Sequence, residues 1–423
     1  MYERKENTNR MTIFFKTLLS SLLICFILNA CNGTNVEIEE AASSDLTPEY
    51  KDNELRIGNS KNNLQATIKD MNLDEKIGQL VIVGVDGDTM DQDINQLIKK
   101  RKVGGIILFS KNLLSIHQSK MLINKLKQAN TTNSVPLFMG LDEEGGRVTR
   151  LPNDFLATPS SEEIGNSNNL DWAYHTGQSI AKKVKSLGFN INFAPVLDIN
   201  SNPNNPVIGD RSFGSTPNKV IEFGLKQIEG MHSQELISVT KHFPGHGDTN
   251  VDSHLEIPVI QHNKSRLEDF ELAPFKAAIK QNVDAIMIGH LLVPAYDKQY
   301  PATLSKPIVT ELLRGKLNYD GLIVTDDMTM GAIKENYDLG NAAVLSVQAG
   351  SDLVMVGHGY DEANDVLTAL KQAVQSGEIS EERINQSVKR ILDLKESYRL
   401  TDQPIKDINV KKINKFITEF NSK

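Results

Sequence analysis

From Leu64 onward, short apolar runs rich in Val, Ile and Leu alternate with polar residues and then with stretches long enough for a helix. Eight such runs recur, at 80–85, 105–109, 136–141, 191–195, 236–240, 285–289, 321–325 and 353–356. A strand that is apolar on both faces is covered on both faces, the mark of a parallel sheet inside a helical layer. Segments such as Ala273-Pro274-Phe275-Lys276-Ala277-Ala278-Ile279 are amphipathic and supply that layer. Eight β-α units predict an α/β chain folded as a (β/α)8 TIM barrel, one domain over 61–400, rather than an open doubly wound sheet. Before it, 32–60 is rich in Asn, Glu, Ser, Thr and Asp with few large apolar residues and reads as a flexible tether. After it, 401–423 turns polar and Lys-rich and reads as a C-terminal tail.

Barrels of this kind carry their chemistry at the C-terminal ends of the strands. Here those ends hold Asp86, Ser110-Lys111, Asp142-Glu143-Glu144, Asp198, Lys241-His242, His290, Asp326-Asp327 and His358. Polar residues also occur where strand ends merely meet solvent, so the motifs have to decide.

Composition narrows the choice. With 423 residues, 39% hydrophobic and 24% charged, the chain can bury a sizeable core. Its net charge is −8, and the first 30 residues hold four basic side chains against two acidic ones, so the remainder is more acidic still. That argues against nucleic acid or an anionic lipid surface as partner. Both cysteines, Cys25 and Cys31, lie in one N-terminal apolar stretch, which leaves the body without thiol chemistry. The run Thr17 to Ala30 follows Lys16 and is shorter than the roughly 20 residues of a membrane span, so 1–31 reads as a signal peptide. Leu28-Asn29-Ala30-Cys31 resembles a bacterial lipobox, although Asn29 is less usual there than a small residue; Met11 offers a second, more compact start. This reading implies lipidation of Cys31 and an extracytoplasmic protein anchored by lipid to a bacterial membrane.

Six of the nine histidines fall between His232 and His290, most densely in Lys241-His242-Phe243-Pro244-Gly245-His246-Gly247-Asp248. Pro244 ends strand pairing and the two glycines allow a sharp turn, so the segment reads as an active-site loop rather than a solvated one. Further on, Asp252-Ser253-His254 sets a carboxylate two residues from an imidazole, suited to hold one ring nitrogen while the other moves a proton. Zinc is a competing reading of His242, His246, His254, Asp248 and Asp252, but Pro244 and the glycines break any helical His-x-x-x-His spacing. Asp326-Asp327 ends an apolar strand; such a carboxylate can attack a sugar carbon, or it can cap the next helix. Asp142 to Arg150, and Asp210-Arg211, bring carboxylates and guanidinium groups beside glycines, the means of gripping sugar hydroxyls.

Together these segments resemble glycoside hydrolase family 3, in particular its bacterial β-N-acetylglucosaminidases of cell-wall turnover. The likeness runs from about Leu73 to about Leu394, with Gly104 to Phe109 and Pro301 to Ser305 as further landmarks, and rests chiefly on Lys241 to Gly247 followed by Asp252-Ser253-His254. It implies Asp326 as nucleophile, Asp252 with His254 as the acid/base dyad, and Asp142, Arg150, Arg211, Lys241 and His242 as sugar-binding positions. It implies no cofactor and no metal, a carbohydrate substrate derived from peptidoglycan, and a retaining exo-acting hydrolysis; a monomer is expected. Other members add a second α/β domain that brings a glutamate acid/base, and the sequence ends too soon for one, in keeping with a histidine acid. The chain departs from commoner patterns at Glu143-Glu144 and at Thr325. Rival readings are a phosphorylase or another β-glycosidase on the same fold, a metal-dependent hydrolase, and a non-catalytic murein-binding lipoprotein.

Overall fold

The computed structural model describes residues 66–253 and 256–421. Eight parallel strands close into a barrel in chain order: β1 Val81–Gly84, β2 Gly105–Ile107, β3 Phe138–Leu141, β4 Ile191–Asn192, β5 Ile237–Phe243, β6 Ala285–Ile288, β7 Leu322–Asp327 and β8 Leu353–Val356. Each expected apolar run coincides with one of them, and β5 and β7 continue past the end of theirs. Residues of both faces are buried, because the barrel interior covers one face and the helices cover the other.

The helices begin where short polar side chains can accept the unpaired N–H groups of a first turn. Ser115 caps Ile116–Asn130, Asp338 caps Leu339–Ala349, and Ser380 caps Glu381–Ser397. Pro217 opens Pro217–His232, at a position where its missing N–H costs nothing. Beyond the barrel, the tail ends in a helix, Val410–Asn421, whose Ile417 is fully buried. Its Phe420 stacks on His175 of Leu170–Ser186, ring centroids 3.6 Å apart.

Two irregularities matter for chemistry. Between the Thr240–Ile286 and Phe243–Ile288 pairs, β5 has one residue more than β6. Between the Val324–Leu353 and Asp327–Met355 pairs, β7 has one residue more than β8. An extra residue interrupts the strict alternation of a strand and re-aims its side chains. The insertions fall at Lys241-His242 and at Thr325-Asp326, so both members of Lys241-His242 and of Asp326-Asp327 reach one cavity.

Candidate active site

That cavity, about 450 Å³, opens at the C-terminal mouth of the barrel. Asp142, Arg150, Arg211, Lys241, His242, Asp252 and Asp326 all line it. His254 and Cys31, with the signal and tether segments, lie outside the described residues. A larger hollow, about 790 Å³, lies between Leu170–Ser186 and the C-terminal helix; its lysines and Phe416 sit far in sequence from every strand end.

The polar wall of the cavity is built from the chain after β3. Glu143 faces away from the cavity and is buried, accepting from Lys183 Nζ at 2.8 Å, Thr149 Oγ1 at 2.8 Å and the Arg150 N–H at 2.8 Å. It thereby fixes the turn that presents Arg150. On either side of it, Asp142 and Glu144 face inward, since neighbours in an extended chain alternate. Lys241 Nζ lies 2.6 Å from Asp142 Oδ1 and 2.7 Å from Glu144 Oε1. Arg211 meets Glu144 through two parallel hydrogen bonds of 2.8 Å, the geometry a guanidinium and a carboxylate favour. Arg150 Nη2 stands 3.8 Å from Asp142 Oδ2. Burial alone would raise the Glu144 carboxyl, but Arg211 and Lys241 outweigh it and hold the group well below the ordinary carboxylate range. Burial likewise opposes the Lys241 charge, yet Asp142 and Glu144 raise it. The wall is therefore a fixed array of ionised donors and acceptors.

Beside it, Asp198 after β4 is fully buried and organises two histidines. It accepts from His242 Nδ1 at 2.7 Å and from the His246 N–H at 2.6 Å. Burial is again outweighed, here by His242 and then His246, and the Asp198 carboxyl sits below its usual value. With Nδ1 occupied, His242 has its Nε2 left for the cavity.

The two neighbouring aspartates at the end of β7 differ sharply. Asp327 Oδ1 accepts three hydrogen bonds, from Thr329 N–H at 2.9 Å, Thr329 Oγ1 at 2.7 Å and Gly357 N–H at 2.8 Å, and so ties β7 to β8. Asp326 is half-buried and accepts only the N–H of Asp327, at 2.8 Å, among the described residues. Burial would raise its carboxyl, but His242, His290, that N–H and Lys241 bring it below the usual value. Among the described residues, Asp326 is an ionised carboxylate with lone pairs left unclaimed, beside a wall of charged donors and acceptors.

Residues 72–394 match the family model "Glycosyl hydrolase family 3 N terminal domain". The chain belongs to glycosyl hydrolase family 3. It is 34% identical over 331 residues to Beta-hexosaminidase A of Pseudoalteromonas piscicida, covering 73% of this chain and 55% of that protein. The chain thus spans about half the length of that relative. With a Beta-hexosaminidase of Idiomarina loihiensis it shares 33% identity over 293 residues, 68% of this chain and 87% of the other. Among solved structures, a family 3 β-N-acetylglucosaminidase from Paenibacillus sp. str. FPU-7 superposes with a TM-score of 0.78 at 41% identity, covering 83% of this chain and 68% of that one.

In this family 3 barrel, the loop after β5 is shaped by close contacts. Gly245 has φ +123°, a conformation that L side chains rarely adopt, and a Cβ on Gly247 would lie 1.7 Å from the Ile199 carbonyl oxygen. The convergence a zinc site needs is lacking among the described residues. Asp248 turns to His262 at 2.6 Å, His242 is taken by Asp198, and both His246 nitrogens meet hydroxyls. Glu144, Asp198 and His358 stand out in the sequence only as polar strand ends without a role, and Phe109 only as the end of an apolar run; the rings of Phe109 and His358 stack at the cavity wall, 4.7 Å apart. For Glu144 the signal was present, since period-2 alternation places it on the side of Asp142. The Asp198 pairing spans 44 positions and left no local trace.

Proposed function

We propose that this family 3 protein is a retaining exo-β-N-acetylglucosaminidase that removes terminal N-acetylglucosamine from peptidoglycan-derived sugars. The observation that carries the reading is Asp326: an ionised carboxylate that accepts, among the described residues, one backbone hydrogen bond, in a cavity walled by Asp142, Glu144, Arg150, Arg211 and Lys241. The relatives' activity as β-hexosaminidases supports the choice of sugar.

In the proposed cycle the wall and His242 hold the sugar hydroxyls. An Asp326 oxygen attacks the anomeric carbon while His254, oriented by Asp252, gives its proton to the departing glycosidic oxygen. The glycosyl-enzyme ester is then cleaved by water, whose proton returns to His254, freeing Asp326 and the sugar with its configuration retained. Released N-acetylglucosamine from a panel of aryl β-glycosides and muropeptides is the test. The expected result is release of the acetamido sugar as the β-anomer, without dependence on phosphate. Preference for glucosides, or release of a sugar 1-phosphate, contradicts the reading.

The lipobox-like segment supports, as part of the same proposal, an extracytoplasmic protein held at a membrane through a lipidated Cys31. Full-length protein is expected to partition with membranes and Cys31→Ser to be released or left unprocessed. A soluble wild-type chain with an unmodified N-terminus beyond Cys31 contradicts it.

A further inference from the structure

His246 is almost wholly buried, lies beside the cavity, and is not among the groups that grip sugar. Its ring is held at both nitrogens: Nδ1 lies 3.0 Å from Thr249 Oγ1 and Nε2 lies 3.1 Å from Ser253 Oγ. The Thr249 Oγ1 also lies 3.2 Å from the His246 carbonyl oxygen and accepts from Asn205 Nδ2 at 3.2 Å. Burial and then the neighbouring His242 bring the imidazole down to about 4 against the pull of Asp198, so the ring is neutral near pH 7. A neutral ring has one donor and one acceptor nitrogen, and a hydroxyl can serve either, so Thr249 and Ser253 hold the ring from both sides.

Ser253 is buried and stands between Asp252 and His254. Its carbonyl oxygen accepts the Ala332 N–H at 3.2 Å, from the segment that follows β7. The His246 backbone N–H is itself fixed by Asp198 at 2.6 Å. A continuous set of contacts thus runs from Asp198 after β4 through His246 to Ser253 and on to Ala332, five residues beyond the end of β7.

We propose that His246 is a positioning residue: through Ser253 it holds the stretch of chain that carries Asp252 at the cavity that Asp326 lines. The proposal rests on the acid/base reading of Asp252 and His254 given above. Displacing a catalytic group by about 1 Å costs on the order of 100-fold in rate. The cost falls on the step in which the misplaced group takes part, so it appears where the leaving group needs a proton.

The test uses the full chain and compares a muropeptide-type substrate, whose leaving group is poor, with a nitrophenyl glycoside, whose leaving group departs unaided. His246→Asn keeps a polar atom near the Nδ1 position and loses the reach to Ser253; His246→Gln keeps an acceptor near the Nε2 position. His246→Asn is expected to lower kcat on the poor substrate about 100-fold while kcat on the nitrophenyl glycoside changes far less. His246→Gln is expected to restore most of that loss. Ser253→Ala, which removes only a hydroxyl, should reproduce the selective loss, and the His246→Asn/Ser253→Ala double variant should be no worse than either alone. Equal losses on both substrates, or additive losses in the double variant, overturn the proposal. Asp252→Ala measured alongside separates the two levels: if it shows the selective loss and His246→Asn does not, only the positioning role falls. If Asp252→Ala also lacks selectivity, the acid/base reading fails with it.

Discussion

Asp326→Ala is expected to lower kcat on every substrate by on the order of 10,000-fold or more while leaving the melting transition near that of the parent. The contrast with its neighbour makes this specific. Asp326 gives up one backbone hydrogen bond at a half-buried position, whereas Asp327 holds Thr329 and Gly357 through three. Asp327→Ala leaves buried donors unpaired, at roughly 1–3 kcal/mol for each, and should lower stability as its first effect. Asp326 also lies below its usual value, so it stays ionised wherever an ordinary aspartate does. An acid-side fall of kcat/KM near neutrality therefore has another origin. Kinetics with purified variants, alongside thermal unfolding, check both halves. An Asp326→Ala protein with substantial turnover, or an Asp327→Ala protein that is stable yet inactive, reverses the assignment.

His254→Ala should slow substrates with poor leaving groups by on the order of 100-fold to 10,000-fold, the range general acid catalysis supplies, and activated aryl glycosides far less. Asp252→Ala should follow the same trend, because an imidazole without its orienting carboxylate is misplaced and less basic. Asp252 lines the cavity with Asp326, and its carbonyl accepts the Glu256 N–H at 3.1 Å. Rates across a series of aryl glycosides with leaving groups of graded acidity give the comparison. Equal losses across the series mean that His254 only binds sugar, and Glu256 becomes the next residue to replace.

Much of the barrel was legible because its strands are continuous apolar runs, and each of the eight runs coincides with one observed strand. Their ends were less legible. The run at 191–195 yields only Ile191–Asn192, since Pro195 has no N–H for a ladder. The run at 236–240 extends as β5 to Phe243, through a charged lysine and a histidine that read as a strand terminus. They remain in the strand because the extra residue turns both toward the cavity rather than one toward the helical layer. β7 extends to Asp327 for the same reason.

The site was legible where chemistry sits in one segment and obscure where it is assembled over distance. Asp142, Lys241 and Asp326 stand at strand ends, where the fold itself points. The resemblance favours Asp326 over Asp327, and among the described residues the two carboxylates differ in the hydrogen bonds they accept. The bond from Asp198 to His242 joins strand ends that no sequence pattern relates. The sequence offers His246 as a metal ligand; its two hydroxyl partners lie three and seven residues ahead and meet the ring only in the folded loop.

The account turns on a covalent bond to one oxygen-bearing side chain, and trapping that bond tests it most directly. A mechanism-based fluorosugar with the N-acetylglucosamine configuration, followed by peptide mapping of the inactivated enzyme, should add a single sugar to Asp326. Attachment at Asp327, or inactivation that leaves no sugar on the β7 peptide, contradicts it.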